Sequence, residues 1–189
     1  MISKQEFIRE YSKAIIDKRD SVFIGAGMFR SSGFADWNEL LKPLANDIGL
    51  DVDKETDLVS LAQYYKNERS RALINQQIIE AFTANVEINE NLYILSRLPL
   101  ETYWTTNYDD LLENALRMNN RKPDVKHSQS QMSMTIKKRH AIVYKMHGGV
   151  SNPSEAVLTK DDYEKYEHTR SLFRTTLKGE LVSKTLKYC

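Results

Sequence analysis

Three short apolar runs, each closed by a small or polar cluster, constrain this chain more than any other feature. Val22-Phe23-Ile24 runs into Gly25-Ala26-Gly27, Thr102-Tyr103-Trp104-Thr105-Thr106 runs into Asn107-Tyr108-Asp109, and Ala141 to Met146 runs into His147-Gly148-Gly149. Continuous rather than alternating apolar text predicts strands covered on both faces, the situation of a parallel sheet flanked by helices. The text between them has helical spacing. Ser3 with Glu6 opens a first helix running to about Asp17, and Asp36 with Glu39 opens a second one carrying Trp37, Leu40, Leu41, Leu44 and Ile48. Residues 57–98 read as a mostly helical insertion. A short strand is expected near Val125, a capped helix at Thr159 to Asp162, and another around Leu172, Phe173 and Leu177. The predicted fold is therefore α/β: a Rossmann-like, doubly wound, mostly parallel sheet with a helical insertion at about 57–98.

A chain of 189 residues predicts one domain, here 1–189. Lys+Arg 27 against Asp+Glu 26 leaves a net charge of +1, which gives no bulk attraction for nucleic acid. Apolar runs of a few residues are far short of the ~20 that span a bilayer, and the N-terminus shows no apolar signal region, so the expected compartment is the cytoplasm. The single cysteine, Cys189, excludes an intrachain disulfide and a cysteine-cluster zinc site, and no metal is expected. Chemistry has to come from Asn, Asp, His, Ser and main-chain groups.

In open α/β sheets ligands bind outside the carboxyl ends of the strands. If the three strands are parallel neighbours, their clusters face one cleft: a glycine turn that exposes N–H groups to phosphate, and two turns that supply Asn107, Asp109 and His147. Each piece alone is weak. Gly25 and Gly27 lack the third glycine of a dinucleotide fingerprint, because position 30 is Arg30. Asn-x-Asp is commonly a turn or cap, and a histidine beside glycines is commonly a loop residue. Their joint occurrence at three strand ends favours a nucleotide site.

The series Phe23 to Gly27, Gly33 to Trp37, Thr105 to Asp109 and Lys145 to Gly148 resembles the motif series of the sirtuin superfamily. The bacterial sirtuin-like defence branch is the nearer match, in particular the NAD-cleaving effectors of the Thoeris anti-phage system, over nearly the whole chain. The resemblance implies NAD+ as substrate and its hydrolysis to nicotinamide and ADP-ribose in anti-phage defence. It implies that Gly25, Ala26 and Gly27 hold the phosphates, and that Gly33, Asp36 and Trp37 belong to the loop over the cofactor. Asn107 would position the nicotinamide ribose or the attacking water, with Thr106 beside it; Asp109 would line the nicotinamide pocket, and His147 would act as general base.

Two departures qualify this. Phe29 stands where the family has a small hydroxyl residue and is expected to crowd the phosphates. The family continues past a segment like Leu181 to Thr185 into another core strand, whereas here the sequence stops at Lys187-Tyr188-Cys189. The expectation is a domain incomplete at its C-terminal end, lacking the last core strands, with an unpaired sheet edge. The alternative to an active NADase is thus a catalytically impaired nucleotide-binding or partner-dependent regulatory module, in a homo-oligomer or docked on a full-length sirtuin-like partner. Protein deacetylation is disfavoured, since typical sirtuins carry a four-cysteine zinc module. Tyr103 and Trp104 are expected in the core, and His127, His140 and His168 in solvent.

Overall fold

The computed structural model describes residues 3–33, 36–83 and 87–189, without the side chains of residues 29–31. Five strands, β1 (Asp20–Ile24), β2 (Thr102–Thr105), β3 (Pro123–Lys126), β4 (Ala141–Lys145) and β5 (Thr185–Tyr188), form one sheet in the order β3-β4-β2-β1-β5. Every pairing is parallel. Side chains alternate between two buried faces. Val22, Ile24, Tyr103 and Val143 point into one cluster with Leu92, Leu111, Leu112 and Leu116, which belong to α5 (Glu90–Arg97) and α6 (Leu111–Met118). Trp104 and Tyr144 point the other way and stack at 4.1 Å, with Phe173 edge-on to Tyr144. Phe173 belongs to α9 (Ser171–Ser183), so helices cover both faces of the sheet.

The N-terminal signals fold as expected. Ser3 accepts the Glu6 N–H at the start of α1 (Lys4–Ile16). Asp36 and Glu39 form a reciprocal capping box on α2 (Trp37–Asp47). The helical segment divides differently from the expectation. Helices α3 (Leu58–Glu68) and α4 (Arg71–Phe82) pack with α2 into a second core, built on Leu40, Leu41, Leu61, Tyr65, Ile74 and Ile78. Helix α5, by contrast, lies on the sheet. The periodicity of 57–98 identified helices but not which core each one faces.

The largest correction concerns the last residues. Thr185–Tyr188 forms β5 beside β1, where the sequence reading expected no further core strand. Glu180 explains how α9 delivers it. Its Oε2 accepts from Ser21 Oγ (2.9 Å) and Trp104 Nε1 (2.7 Å), while its Oε1 accepts from Lys184 Nζ (2.8 Å). The helix end is thereby pinned to the sheet face one residue before the strand begins. Tyr188 then stacks on Phe23 at 5.3 Å, and β1 has neighbours on both sides.

Two short helices, α7 (Lys160–Glu164) and α8 (Tyr166–Thr169), precede α9. No described helix is long and apolar enough to cross a membrane.

Candidate functional site

The register brings the three clusters together. Ile24 pairs with Thr105, and Thr105 pairs with Lys145, so the glycine turn, Asn107 and His147 all leave adjacent strands at one end of the sheet. Neighbouring strands are roughly 4.8 Å apart. Past the strand ends, the β2 and β4 turns remain bonded to each other, since Val150 N–H donates to the Tyr108 carbonyl at 2.9 Å.

After β1 the chain turns into a 3-10 segment, Ala26–Ser32, with Ala26 and Gly27 exposed. The side chain of Asn89, the N-cap of α5, holds this segment by donating to the Met28 carbonyl (2.8 Å) and Ser32 Oγ (2.7 Å). A Cβ at Gly27 would meet nothing within 4 Å, so its main chain is open to a ligand. Gly25 differs. Its N–H donates to the Cys189 carbonyl at 2.9 Å, and a Cβ there would lie 3.1 Å from the Tyr188 hydroxyl. Gly33, at φ +82°, is open, Asp36 caps α2, and Trp37 packs against the helical core. The side chain of Phe29 lies outside the described residues.

In the β2 turn, the Asn107 N–H donates to Thr105 Oγ1 at 3.1 Å, and Thr106 and Asn107 are half-buried. The two residues that follow are tied down. Tyr108 is buried, donates its hydroxyl to the Val157 carbonyl at 2.7 Å and packs on Phe82. Asp109 is 4% exposed, and its Oδ1 accepts the Leu111 N–H at the start of α6. Burial pushes its carboxyl up to about 6, against the opposing pull of Lys145. Asp109 thus forms the floor of the turn and caps α6.

In the β4 turn, Gly148 adopts φ +83°, and a Cβ there would sit 3.2 Å from Ala156 Cα, Arg170 Nη2 and the Glu155 carbonyl. Only glycine fits both the left-handed backbone and the close approach. The His147 carbonyl accepts the Val157 N–H at 2.9 Å, and its ring is edge-on to Tyr163 and Tyr166. Burial, then the nearby Arg170 charge, lowers its pKa to about 4. The imidazole is therefore neutral at physiological pH.

Two buried cations missed by the sequence reading brace this side. Lys145, 1% exposed, reaches the Tyr108 and Asp109 carbonyls, Asp110 and Glu113. Arg170, 2% exposed, donates to the His127 and Glu155 carbonyls and lies over the Phe173 ring. Charged residues in amphipathic text normally read as solvated, so neither carried a signal apart from Lys145 ending an apolar run. His127 is a related correction. It is half-buried beside Gln131 rather than solvated, because its carbonyl anchors Arg170. His140 and His168 are exposed, and Tyr103 and Trp104 are fully buried, as expected.

Comparison with known proteins matches residues 101–188 to the SIR2-like domain. The chain is 51% identical over 184 residues to the NAD(+) hydrolase ThsA of Bacillus cereus (strain MSX-D12), covering 96% of this chain and 39% of that protein. It is 46% identical over 185 residues to a ThsA of Cytobacillus dafuensis, covering 98% of this chain and 37% of the relative. It is 47% identical over 190 residues to a ThsA of Enterococcus faecium, covering 99% and 40%. The chain thus spans about two fifths of the length of these curated relatives. A parallel sheet covered on both faces, a glycine turn, and Asn107 and His147 on neighbouring strand ends agree with those likenesses, and residues 101–188 are those of a SIR2-like domain.

Proposed function

We propose that this chain is the NAD+-cleaving domain of an anti-phage defence protein, hydrolysing NAD+ to nicotinamide and ADP-ribose. The observation that carries this reading is the convergence of an open glycine turn, Asn107 and a neutral His147 at the ends of adjacent parallel strands. The relatives' name, NAD(+) hydrolase, supports NAD+ as the substrate.

The chemistry suits these groups. Nicotinamide leaves NAD+ as a neutral molecule, so the leaving group needs no strong acid, and the transition state resembles an oxocarbenium ion. General-base efficiency is greatest when the base's pKa lies near the operating pH, and burial holds His147 below that range, so it offers a weak but unprotonated base. Asn107 offers an amide to orient the ribose or the water, with Thr106 alongside. Ala26, Gly27 and Gly33 present main chain to the phosphates, while Asp36 and Trp37 fix the start of α2 beside the cofactor loop. Asp109 shapes the nicotinamide pocket through the helix it caps. NAD+ is the only small molecule assigned, no metal enters the scheme, and the cytoplasm is the compartment that supplies the dinucleotide.

One observation favours the second reading, a nucleotide-binding or partner-dependent module without turnover. The Gly25 N–H, which the family resemblance assigns to phosphate, is held by the Cys189 carbonyl. Nicotinamide release by the purified chain, with His147→Ala alongside, separates the two. Turnover lost in the variant supports the hydrolase; a folded chain that binds NAD+ without turnover supports the module.

A further inference from the structure

We propose that Lys145 is a positioning residue that locks the Asn107 turn and the His147 turn into one rigid unit for NAD+ cleavage, an inference that rests on the function proposed above. Lys145 is the last residue of β4, two positions before His147, and its side chain is 1% exposed. It crosses under the neighbouring strand end. Nζ donates to the Tyr108 carbonyl at 3.1 Å and to the Asp109 carbonyl, so it grips the main chain of the two residues that follow Asn107. It also donates to Asp110 Oδ1 at 2.8 Å and lies 3.1 Å from Glu113 Oε1, at the start of α6. The path has been kept clear: a Cβ on Gly149 would lie 3.1 Å from Lys145 Cε and 3.2 Å from Nζ.

Stability alone gives little reason for this arrangement. A buried ion pair is commonly no better than a well-packed apolar pair of the same size, because both charges lose their hydration. What the ammonium provides and an apolar side chain cannot is a set of directed bonds to two successive carbonyls. Those bonds fix the turn bearing Asn107 relative to the strand bearing His147. Cleavage geometry is sensitive to displacements of an ångström or less, so this is where rigidity matters. Lys145 touches neither substrate nor the reacting atoms, and acts through the two residues it spaces.

Lys145→Met leaves Glu113 buried without its cation, so the test uses Lys145→Met in a Glu113→Gln background, with Glu113→Gln alone as reference. Hydrogen exchange of the folded proteins and nicotinamide release at saturating NAD+ are measured together. The expected result is at least tenfold faster exchange confined to residues 106–110 and 146–150, at least thirtyfold lower kcat, and NAD+ binding within threefold of the reference. Adding Asn107→Ala should bring kcat only to about the level of Asn107→Ala in the reference background rather than multiply the two losses, because Lys145 acts through that residue. Unchanged kcat, fully additive losses, or faster exchange spread evenly over the sheet would overturn the proposal. If the reference protein releases no nicotinamide, the functional reading fails, and the exchange pattern still decides whether Lys145 couples the two turns.

Discussion

The two sides of the cleft are built on opposite plans. On the β4 and β2 side, Lys145 and Arg170 are buried and bonded to main-chain carbonyls, Tyr108 reaches across to Val157, and a Cβ on Gly148 would meet three atoms at 3.2 Å. On the β1 side, Ala26 and Gly27 are exposed, and Asn89 holds the segment from outside. The difference fits the roles proposed for the two sides. A reacting carbon and its water need placement to fractions of an ångström, whereas a diphosphate needs N–H groups that can be reached. The glycines mark this contrast: a Cβ at Gly148 or Gly149 would run into protein, whereas one at Gly27 would meet open space.

The strongest break in the comparison is at Asn107. Its neighbours Tyr108 and Asp109 carry the local packing, so Asn107→Ala should leave thermal stability within ~0.5 kcal/mol while lowering nicotinamide release by about 10²–10³-fold, the usual effect of removing a polar group aimed at the transition state. Equal losses of stability and turnover would make Asn107 structural. Next comes Gly148→Ala, which forces a side chain into a left-handed conformation and against Arg170 and Ala156. Denaturant unfolding should show a loss of about 2–4 kcal/mol. Gly27→Ala, with open space around it, should cost no more than ~0.5 kcal/mol in stability yet weaken NAD+ binding several-fold by calorimetry. Similar stability losses at both glycines would erase the distinction between the two sides.

Much of this was legible in the sequence, and the reason is local. Caps such as Ser3 and Asp36 act within a few residues, and apolar runs report burial wherever they occur, so α1, α2 and the strands could be read directly. The convergence of Asn107 and His147 was readable because strand ends in parallel sheets share a side. The bracing was not. Lys145 is held by carbonyls 36 and 37 residues away and Arg170 by carbonyls 43 and 15 residues away, which no side-chain pattern encodes. Strand β5 was also hidden, since Thr185-Leu186-Lys187-Tyr188 has little apolar text and depends on Glu180 and Phe23 for its place.

The smallest expected effect is one of cancellation. His147 is pushed down to about 4 from an ordinary 6.5, so the folded protein resists its protonation, and that contribution to stability is lost as pH falls from 6.5 to 4. Asp109 is pushed up to about 6 from 3.8, so the folded protein favours its protonation, and stability is gained as pH falls from 6 to 3.8. The windows overlap and the signs oppose. Relative to wild type, His147→Gln should therefore gain stability on acidification through the first window, and Asp109→Asn, which keeps an acceptor for the Leu111 N–H, should lose it through the second. The double variant should track wild type to within about 1 kcal/mol from pH 7 to 4. Denaturant titrations at matched pH values measure all three. Single variants that shift in the same direction would mean that the pull of Lys145 on Asp109 outweighs its burial, since burial and Arg170 act in the same direction on His147.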